Sequence, residues 1–474
     1  MSAEDVPGGA APGLDELAAR GRVHLVGVAG AGMSAVGALL AARGLEVSGS
    51  DASGALDAVR AAGVTAHQGH DGSLVDGAGT LVVSSAIRPT NPEVARAGQL
   101  GVPVLHRSVA LAALMAGRRG VAVAGAHGKT TTSAMVAVVL AHAGLDPSWA
   151  IGGTVRHPVG EHVDPVGGAH AGTGDVMVVE ADESDGSFLA YRPEIAVVTN
   201  VEPDHLDHYG SREAFEQAFV DFAARVSGTL VVCADDPGAA RLAGAARASG
   251  TAALTYGRGT ADVRVESWHA VGDGGVVELT WPGEAPVVVR LAVPGAHNAL
   301  NAAAAWSVAR LLGVSAGAAA DGLAAFVGTG RRFEDRGTAG GVRVVDDYAH
   351  HPTEIAALLR AARPVAGDGR VLVLFQPHLF SRTATFAAQF AEALALADAV
   401  VVTDVYAARE DPDPAVTGAL ITDRMGPQAR FVADRTEAAG VIAALAEPGD
   451  LVLTVGAGDV TALAPVVLKA LGER

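Results

Sequence analysis

From Arg22 onward, short runs rich in Val, Leu and Ile alternate with Ala/Leu-rich stretches of helix length, and many of the runs end in glycine or acidic residues. This alternation limits the fold most, because strands separated by helices pair in parallel and bury both faces of their sheet. RVHLVGV, LEVSGS and TLVVSS, with helical stretches near Ala31–Arg43 and Ala55–Ala62, make a first block that closes with SVALAALMAG at Gly117. GVAVAG, DVMVVEAD, IAVVTN and TLVVCADD make a second. It continues through VRVESW, VVELTW and VVVRL, whose Gly and Pro breaks predict antiparallel strands, into a long helix in AHNALNAAAAWSVARLLG. GTGRRF reads as a linker into a third block: VRVVDD, a helix after Pro352, RVLVLF, a helix near Thr383–Leu396, AVVVTD, ARFVA, DLVLTV and a terminal helix.

The expectation is an α/β protein of three α/β domains in series. A Rossmann-like N-terminal domain takes residues 21–117, a P-loop-type central domain with small antiparallel strands takes 118–328, and a Rossmann-like C-terminal domain takes 329–474, behind a flexible tail at 1–20. A length of 474 residues agrees with about three domains at roughly 100–200 residues each. No apolar stretch of about 20 residues free of charges predicts a membrane span, and the acidic first twenty residues do not read as a secretory signal. One cysteine, Cys233, allows no disulfide within the chain and fits the cytoplasm. A net charge of −18 argues against nucleic acid as a partner. An anionic substrate therefore needs a local pocket of glycine amides and a few cations.

VAVAGAHGKTTTSAM, Val121 to Met135, reads as a strand, a glycine loop and the start of a helix. The usual phosphate loop, G-x-x-x-x-G-K-[ST], asks for glycine where Val123 stands; the nearest is Gly125, so the loop is short. Of 34 basic residues only Lys129 and Lys469 are lysines. An ammonium kept between a glycine and a threonine, where a compact point charge fits among phosphate oxygens, favours nucleotide binding over a chance turn. Lys129 would neutralise the outer phosphates of ATP and Thr130 would bind Mg²⁺.

A second glycine loop, GVAGAGMSAVG, places Gly30, Gly32 and Ala35 at the start of a helix, with Asp51 ending the next strand. A diphosphate on the helix N-terminus and a ribose on Asp51 is one reading, a tight turn the other, and a nicotinamide-dependent oxidoreductase stays open on this loop alone. The separate triphosphate loop weakens that alternative. VVEADESDGSF puts Glu180, Asp182, Glu183 and Asp185 after one strand, and TNVEPDHLDHYG puts Asp204, His205, Asp207 and His208 after the next. Carboxylates beside a triphosphate call for a hard cation, which makes Glu180 a metal candidate, with His205 drawn in by its setting. In the third block Asp346, Asp347, His350, His351, His378 and Arg382 all follow strands and begin helices, and Arg382 is a candidate clamp for a carboxylate.

Taken in order, GVAGAGMS, SGSD, SSAI with NPE, GAHGKTTT, EADESDGSF, DHLDHYG, PGAHNALNA, RRFEDRG, DDYAHHPTEI, DVYAARE and VGAGD resemble the Mur ligases of peptidoglycan synthesis over about Gly21–Leu471. The resemblance implies UDP-N-acetylmuramate, L-alanine and ATP as substrates, Mg²⁺ as cofactor, and a cytoplasmic enzyme, a monomer or weak homodimer, that forms an amide through an acyl phosphate. It assigns Gly125, Ala126, His127, Gly128, Lys129, Thr130 and Thr131, with Asn298, Arg332 and Asp346 or Asp347, to ATP. Thr130, Glu180 and His205 fall to the metal. Gly30, Ala31, Gly32, Asp51, His70 and Ser85 fall to the UDP-sugar, and Lys129, His351 and Arg382 to catalysis. The sequence departs from the family at Ala126, where Thr is usual, at Leu379-Phe380, where Arg-Tyr is usual, and at Arg409, where Gly is usual. The later ligases' carbamoylated lysine has no counterpart, since the one lysine outside the loop is Lys469. A paralogous ligase with another amino acid or peptide, and a nucleotide-driven binding protein without ligase activity, are the competing readings.

Overall fold

The computed structural model describes residues 12–156, 164–203, 206–408 and 410–474. Three sheets follow one another along the chain. The first holds β1 (Val23–Val26), β2 (Val47–Asp51), β3 (Thr65–Gln68), β4 (Thr80–Val83) and β5 (Val104–His106) in the order β3-β2-β1-β4-β5, all parallel. The strand order reverses between β1 and β4, the switch point outside which ligands bind in open parallel sheets.

The second sheet has ten strands: β6 (Arg119–Ala124), β7 (Ser148–Ala150), β8 (Ala169–His170), β9 (Val176–Glu180), β10 (Ile195–Val198), β11 (Thr229–Cys233), β12 (Ala252–Gly257), β13 (Val263–Val271), β14 (Gly274–Thr280) and β15 (Val287–Leu291). Their order is β15-β14-β13-β12-β11-β10-β6-β9-β7-β8. β6 lies between β10 and β9, parallel to both, so the glycine loop that leaves β6 has the ends of two further strands beside it. β13 and β14 are joined by a two-residue turn, a connection that only antiparallel neighbours allow. The third sheet holds β16 (Glu334–Ala339), β17 (Val342–Asp347), β18 (Val371–Phe375), β19 (Ala399–Val402), β20 (Ala429–Phe431) and β21 (Leu451–Val455), ordered β16-β17-β21-β18-β19-β20 with β16 antiparallel to β17.

The chain divides into two compact units. One comprises the residues up to Ser267, Val277–Arg290 and Ala299–Val327; the other comprises Trp268–Val276, Leu291–Asn298 and Gly328–Arg474. The first unit contains the first sheet and most of the second because a single apolar core runs through both: Leu25, Val36 and Leu114 belong to the same buried cluster as Ala122, Val179 and Phe188.

Four of the eleven phenylalanines gather in this unit. Phe188 stacks on Phe222 at 4.9 Å and meets Phe219 edge-on at 5.3 Å, and Phe215 meets Phe219 at 5.2 Å. In a chain with so few aromatic rings, this cluster pins the acidic segment that follows β9. The helix Lys129–His142 is buried without a break from Thr132 to Leu140, and the helix Ala316–Ala324 packs against it where Gly322 leaves no room for a side chain, a Cβ there lying 2.8 Å from Val139 Cα.

Three details differ from the sequence reading. The tail expected over 1–20 is a helix from Leu14 to Arg20, because Leu17 is fully buried and Leu14 packs on the main core; residues 1–11 of that tail lie outside the described residues. GTGRRF is built into the second unit: Arg331 donates its backbone N–H to Glu334 and its guanidinium to the carbonyl of Gly456 at 2.6 Å. β3, β5, β7, β8, β12 and β16 are strands that the pattern of long apolar runs passes over, being short or half-exposed. If the Leu14–Arg20 helix is docked through Leu17, Leu17→Ala lowers unfolding stability by about 2–4 kcal/mol, read as a shift of the first urea transition; no shift shows that the segment contributes nothing to the fold.

Candidate active site

The loop between β6 and the helix Lys129–His142 is held by glycines that nothing else can replace. Gly125 has φ +127°, and a Cβ on it would lie 2.2 Å from Thr199 Oγ1 and 3.0 Å from the backbone of Asn200. Gly128 has φ +83°, and a Cβ there would lie 2.9 Å from Asn301 Oδ1. The residues that follow β10 grip the loop from below: Thr199 Oγ1 donates to the His127 carbonyl at 2.6 Å, and Asn200 exchanges bonds with the same residue, accepting from its N–H at 3.0 Å and donating to its carbonyl at 2.9 Å. His127 Nε2 lies 3.2 Å from Glu202. The backbone amides at the head of the long buried helix are thereby fixed in direction, as an anion site requires.

Lys129 turns back over the loop. Its Nζ donates to the Gly125 carbonyl at 2.7 Å and the Ala126 carbonyl at 3.3 Å, and pairs with Glu183 Oε1 at 2.8 Å. Burial works against the ammonium charge, yet Glu183, Asp182 and Glu180 hold its pKa above the ordinary lysine value. Glu183 is 1% exposed; burial pushes its carboxyl up to about 7, with Lys129 opposing and Asp182 adding to the rise. Its Oε2 has no hydrogen-bond partner among the described residues. For Asp182 burial also pushes upward, but Arg107 and Lys129 win and hold it down to about 2. Thr130 Oγ1 donates to Glu180 Oε1 at 3.0 Å, and Glu180 Oε2 accepts from the Gly152 N–H at 2.8 Å. The loop hydroxyl and the carboxylate at the end of β9 thus meet as a pair of hard oxygen donors, the kind Mg²⁺ takes. His205 lies outside the described residues.

Among the residues assigned to the UDP-sugar, Asp51 accepts from the Ala29 N–H at 2.9 Å and the Ser53 N–H at 2.8 Å, so it shapes the glycine loop. Gly30 begins the helix Ala31–Ala42 with ordinary extended torsions; the glycine of this loop that needs positive φ is Gly27, at +77°. Ser85 bonds Asp185 and lies 3.1 Å from His106 Nε2. His70 rests on a buried network that the sequence reading missed. Glu93, with no exposed surface, accepts from Ser50 Oγ at 2.7 Å and sits 3.1 Å from both His24 Nε2 and His70 Nδ1. His70 thus turns Nδ1 toward Glu93 while its side chain stays partly exposed. The signal for Glu93 was its place after Asn-Pro, where a capping residue would be read instead.

In the second unit the two adjacent aspartates differ. Asp346 is spent on the fold, accepting from Thr454 at 2.7 Å and Thr461 at 2.8 Å and pairing with Arg331 at 3.3 Å. Asp347 accepts the N–H groups of Phe333 and Ala349, both at 2.8 Å, and burial pushes it up to about 6 with Arg332 opposing. Arg332 lies over the Tyr348 ring, 5.2 Å from its centroid. His351 caps the helix Pro352–Ala366 through Nδ1, in a capping box with Glu354. Burial pushes the neighbouring His350 down to about 3 against the pull of Glu354, with Arg382 and His378 adding to the fall, so this imidazole is neutral. Arg382 itself is 7% exposed in the first turn of the helix Phe380–Leu394, which begins three residues earlier than Thr383. Leu379, before it, has φ +69°, a torsion costing about 1–3 kcal/mol in a non-glycine residue. Asn298 Nδ2 is bound to the Pro294 carbonyl at 2.7 Å; the asparagine beside the glycine loop is Asn301, 3.2 Å from Thr132 Oγ1. Arg409 lies outside the described residues.

Three α/β sheets in series, with a lysine-bearing glycine loop at the carboxyl edge of the second, define an α/β protein of the phosphate-loop class. The chain matches the Mur ligase family, catalytic domain, over residues 22–119, the Mur ligase middle domain over 123–309 and the Mur ligase, glutamate ligase domain over 331–458. It therefore belongs to the Mur ligase family. It is 59% identical to the UDP-N-acetylmuramate–L-alanine ligase of Kineococcus radiotolerans over 99% of each chain, and 54% identical to that of Renibacterium salmoninarum over 96% of this chain and 97% of the other. The crystal structure of the UDP-N-acetylmuramate-alanine ligase from Thermotoga maritima covers 94% of this chain and 98% of its own at 31% identity, with a TM-score of 0.79. A murein peptide ligase from Psychrobacter arcticus covers 96% and 99% at 26% identity, with a TM-score of 0.71.

The raised pKa of Glu183 sets a pH dependence. The folded state binds this proton more tightly than the unfolded chain, so the contribution to stability is full below about pH 4.5 and is lost as pH rises through about 7. Glu183→Gln removes that loss. Thermal midpoints measured from pH 5 to pH 8 should fall less steeply in the variant than in the wild type, and parallel curves would show that Glu183 is ionised throughout.

Proposed function

We propose that the protein joins L-alanine to the lactyl carboxylate of UDP-N-acetylmuramate, driven by ATP, in the first peptide-forming step of peptidoglycan precursor synthesis. The observation that carries the reading is the full-length similarity to the Kineococcus radiotolerans ligase, at 59% identity. In our assignment residues 21–117 bind the UDP-sugar, 118–328 bind ATP and 329–474 bind the amino acid, and the reaction takes place in the cytoplasm.

A carboxylate oxygen attacks the γ-phosphorus of ATP, ADP leaves and an acyl phosphate forms. The nitrogen of L-alanine, in its amine form, then attacks the acyl carbon, phosphate departs and a proton is released. Phosphorylation is needed because a carboxylate oxygen is a poor leaving group. Phosphoryl transfer asks the protein for positioning and charge rather than for a covalent nucleophile. Gly125–Thr131 supply backbone amides, and Lys129, held over the loop by Glu183, supplies a fixed positive charge. Thr130 and Glu180, with His205 as a further ligand, would hold Mg²⁺, whose charge offsets that of the phosphates when it is bound. The differing bonds of the aspartate pair favour Asp347 over Asp346 as the one that serves nucleotide together with Arg332 and Asn298. Arg382 and His351 serve the acyl end: a buried arginine can clamp a carboxylate, and a capping histidine is held rigidly. Exclusion of water protects the acyl phosphate from hydrolysis.

The test measures phosphate release with each substrate omitted in turn. Release should require ATP, UDP-N-acetylmuramate and an amino acid together, with L-alanine ahead of glycine and L-serine. Release that is indifferent to UDP-N-acetylmuramate would sink the proposal, and a preference for another amino acid or a peptide would make the chain a paralogue. Lys129→Ala should lower kcat by about a hundredfold or more, since an interaction made chiefly with the transferred phosphoryl group is lost.

A further inference from the structure

We propose that Arg107 is the cation that reads the diphosphate of the nucleotide-sugar. This inference rests on the UDP-sugar assignment above and adds to it a side chain that comes from outside the glycine loop. Arg107 opens the helix Arg107–Met115, immediately after β5. Its Nη2 donates to Asp182 Oδ2 at 2.7 Å, and this is the guanidinium's one hydrogen bond among the described residues. The other amino group lies on the first glycine loop. A Cβ added to Gly32 would fall 2.3 Å from Arg107 Nη1 and 3.4 Å from its Cζ, so the guanidinium occupies the space that any side chain at position 32 would fill.

Gly32 stands in the first turn of the helix Ala31–Ala42, whose N-cap, Gly30, offers no side-chain hydrogen bond. Arg107 Nη1 therefore stands beside the first turn of this helix, whose leading amides have no intrahelical partner. An anion lying on these amides meets the free edge of a planar guanidinium whose opposite edge is fixed by Asp182. A fork held at one side by a carboxylate and open at the other is suited to phosphate oxygens, and a lysine could not fill both roles from one position. Gly32 is thus required for access by Arg107 as well as by ligand backbone approach. Asp182 is a positioning residue in this scheme, since it acts on the ligand only by orienting Arg107.

The experiment is calorimetric titration of the full-length protein with UDP, UMP and uridine, comparing the wild type with Arg107→Gln, Arg107→Lys and Asp182→Asn. Loss of a charge-assisted bond to phosphate lowers affinity by about tenfold or more. Arg107→Gln should therefore weaken UDP binding at least that much, with uridine changed by about twofold at most, so that the preference for the diphosphate collapses. Arg107→Lys, which keeps the charge but not the fork, should fall between. Asp182→Asn should weaken UDP binding in the wild-type background and add nothing in Arg107→Gln. ATP affinity and the thermal midpoint of each variant report on folding; if Arg107→Gln does not fold, Arg107→Lys decides. A wild-type preference for UDP over uridine that survives in the folded variant overturns the role of Arg107. Failure of the wild type to bind UDP at all overturns the UDP-sugar reading itself.

Discussion

The buried pair of Lys129 and Glu183 is the interaction on which the rest of the central site depends. A parallel sheet brings the carboxyl ends of its strands to one edge, and here β6 delivers a glycine loop beside the acidic segment that follows β9. Three carboxylates, Glu180, Asp182 and Glu183, would repel one another in so small a space without cations. Lys129 on one side and Arg107 on the other provide them, and each holds a separate acid at 2.8 and 2.7 Å. Removing one member of such an arrangement leaves a buried charge uncompensated, which costs more than the pair itself contributes.

That electrostatic arrangement needs a rigid frame, and the frame comes from residues with no chemistry of their own. Phe188 anchors the acidic segment in a cluster of rings, and the Tyr209 hydroxyl bonds the Glu183 carbonyl from the same cluster. Thr199 and Asn200 fix the loop from the end of β10. From the helix Pro92–Leu100, Glu93 does the same for His70. Each case is a polar or aromatic group that fixes the position of a neighbour, and such supports decide whether a site holds its geometry to within a fraction of an ångström.

The alternation of strand and helix was legible from the sequence because long apolar runs with polar ends leave few other folds, and the glycine loop because Lys129 stands nearly alone among arginines. Short strands such as β3 and β16 were not legible, since their residues are half-exposed and their pairing is decided by neighbours distant in sequence. The same limit applies to partners. Nothing near Arg107 in sequence points to Gly32 or Asp182, each of which lies 75 positions from it. The adjacent aspartates are alike in sequence and differ only in what folds around them: two threonines and Arg331 around one, two backbone amides and Arg332 around the other.

A similar sorting runs through the second unit and bears on how a departure from the family pattern can be accommodated. Leu379 holds a left-handed torsion before the helix that carries Arg382, with its N–H bonded to the Tyr406 carbonyl at 3.0 Å. A buried leucine there keeps the chain turned by packing, where a longer polar side chain would need a partner for its charge. In the same unit burial holds His350 well below the ordinary histidine range, with Glu354 opposing and Arg382 and His378 adding to the fall. Leucine at 379 thus places no charge at the start of this helix, and the buried Arg382 is the cation of its first turn.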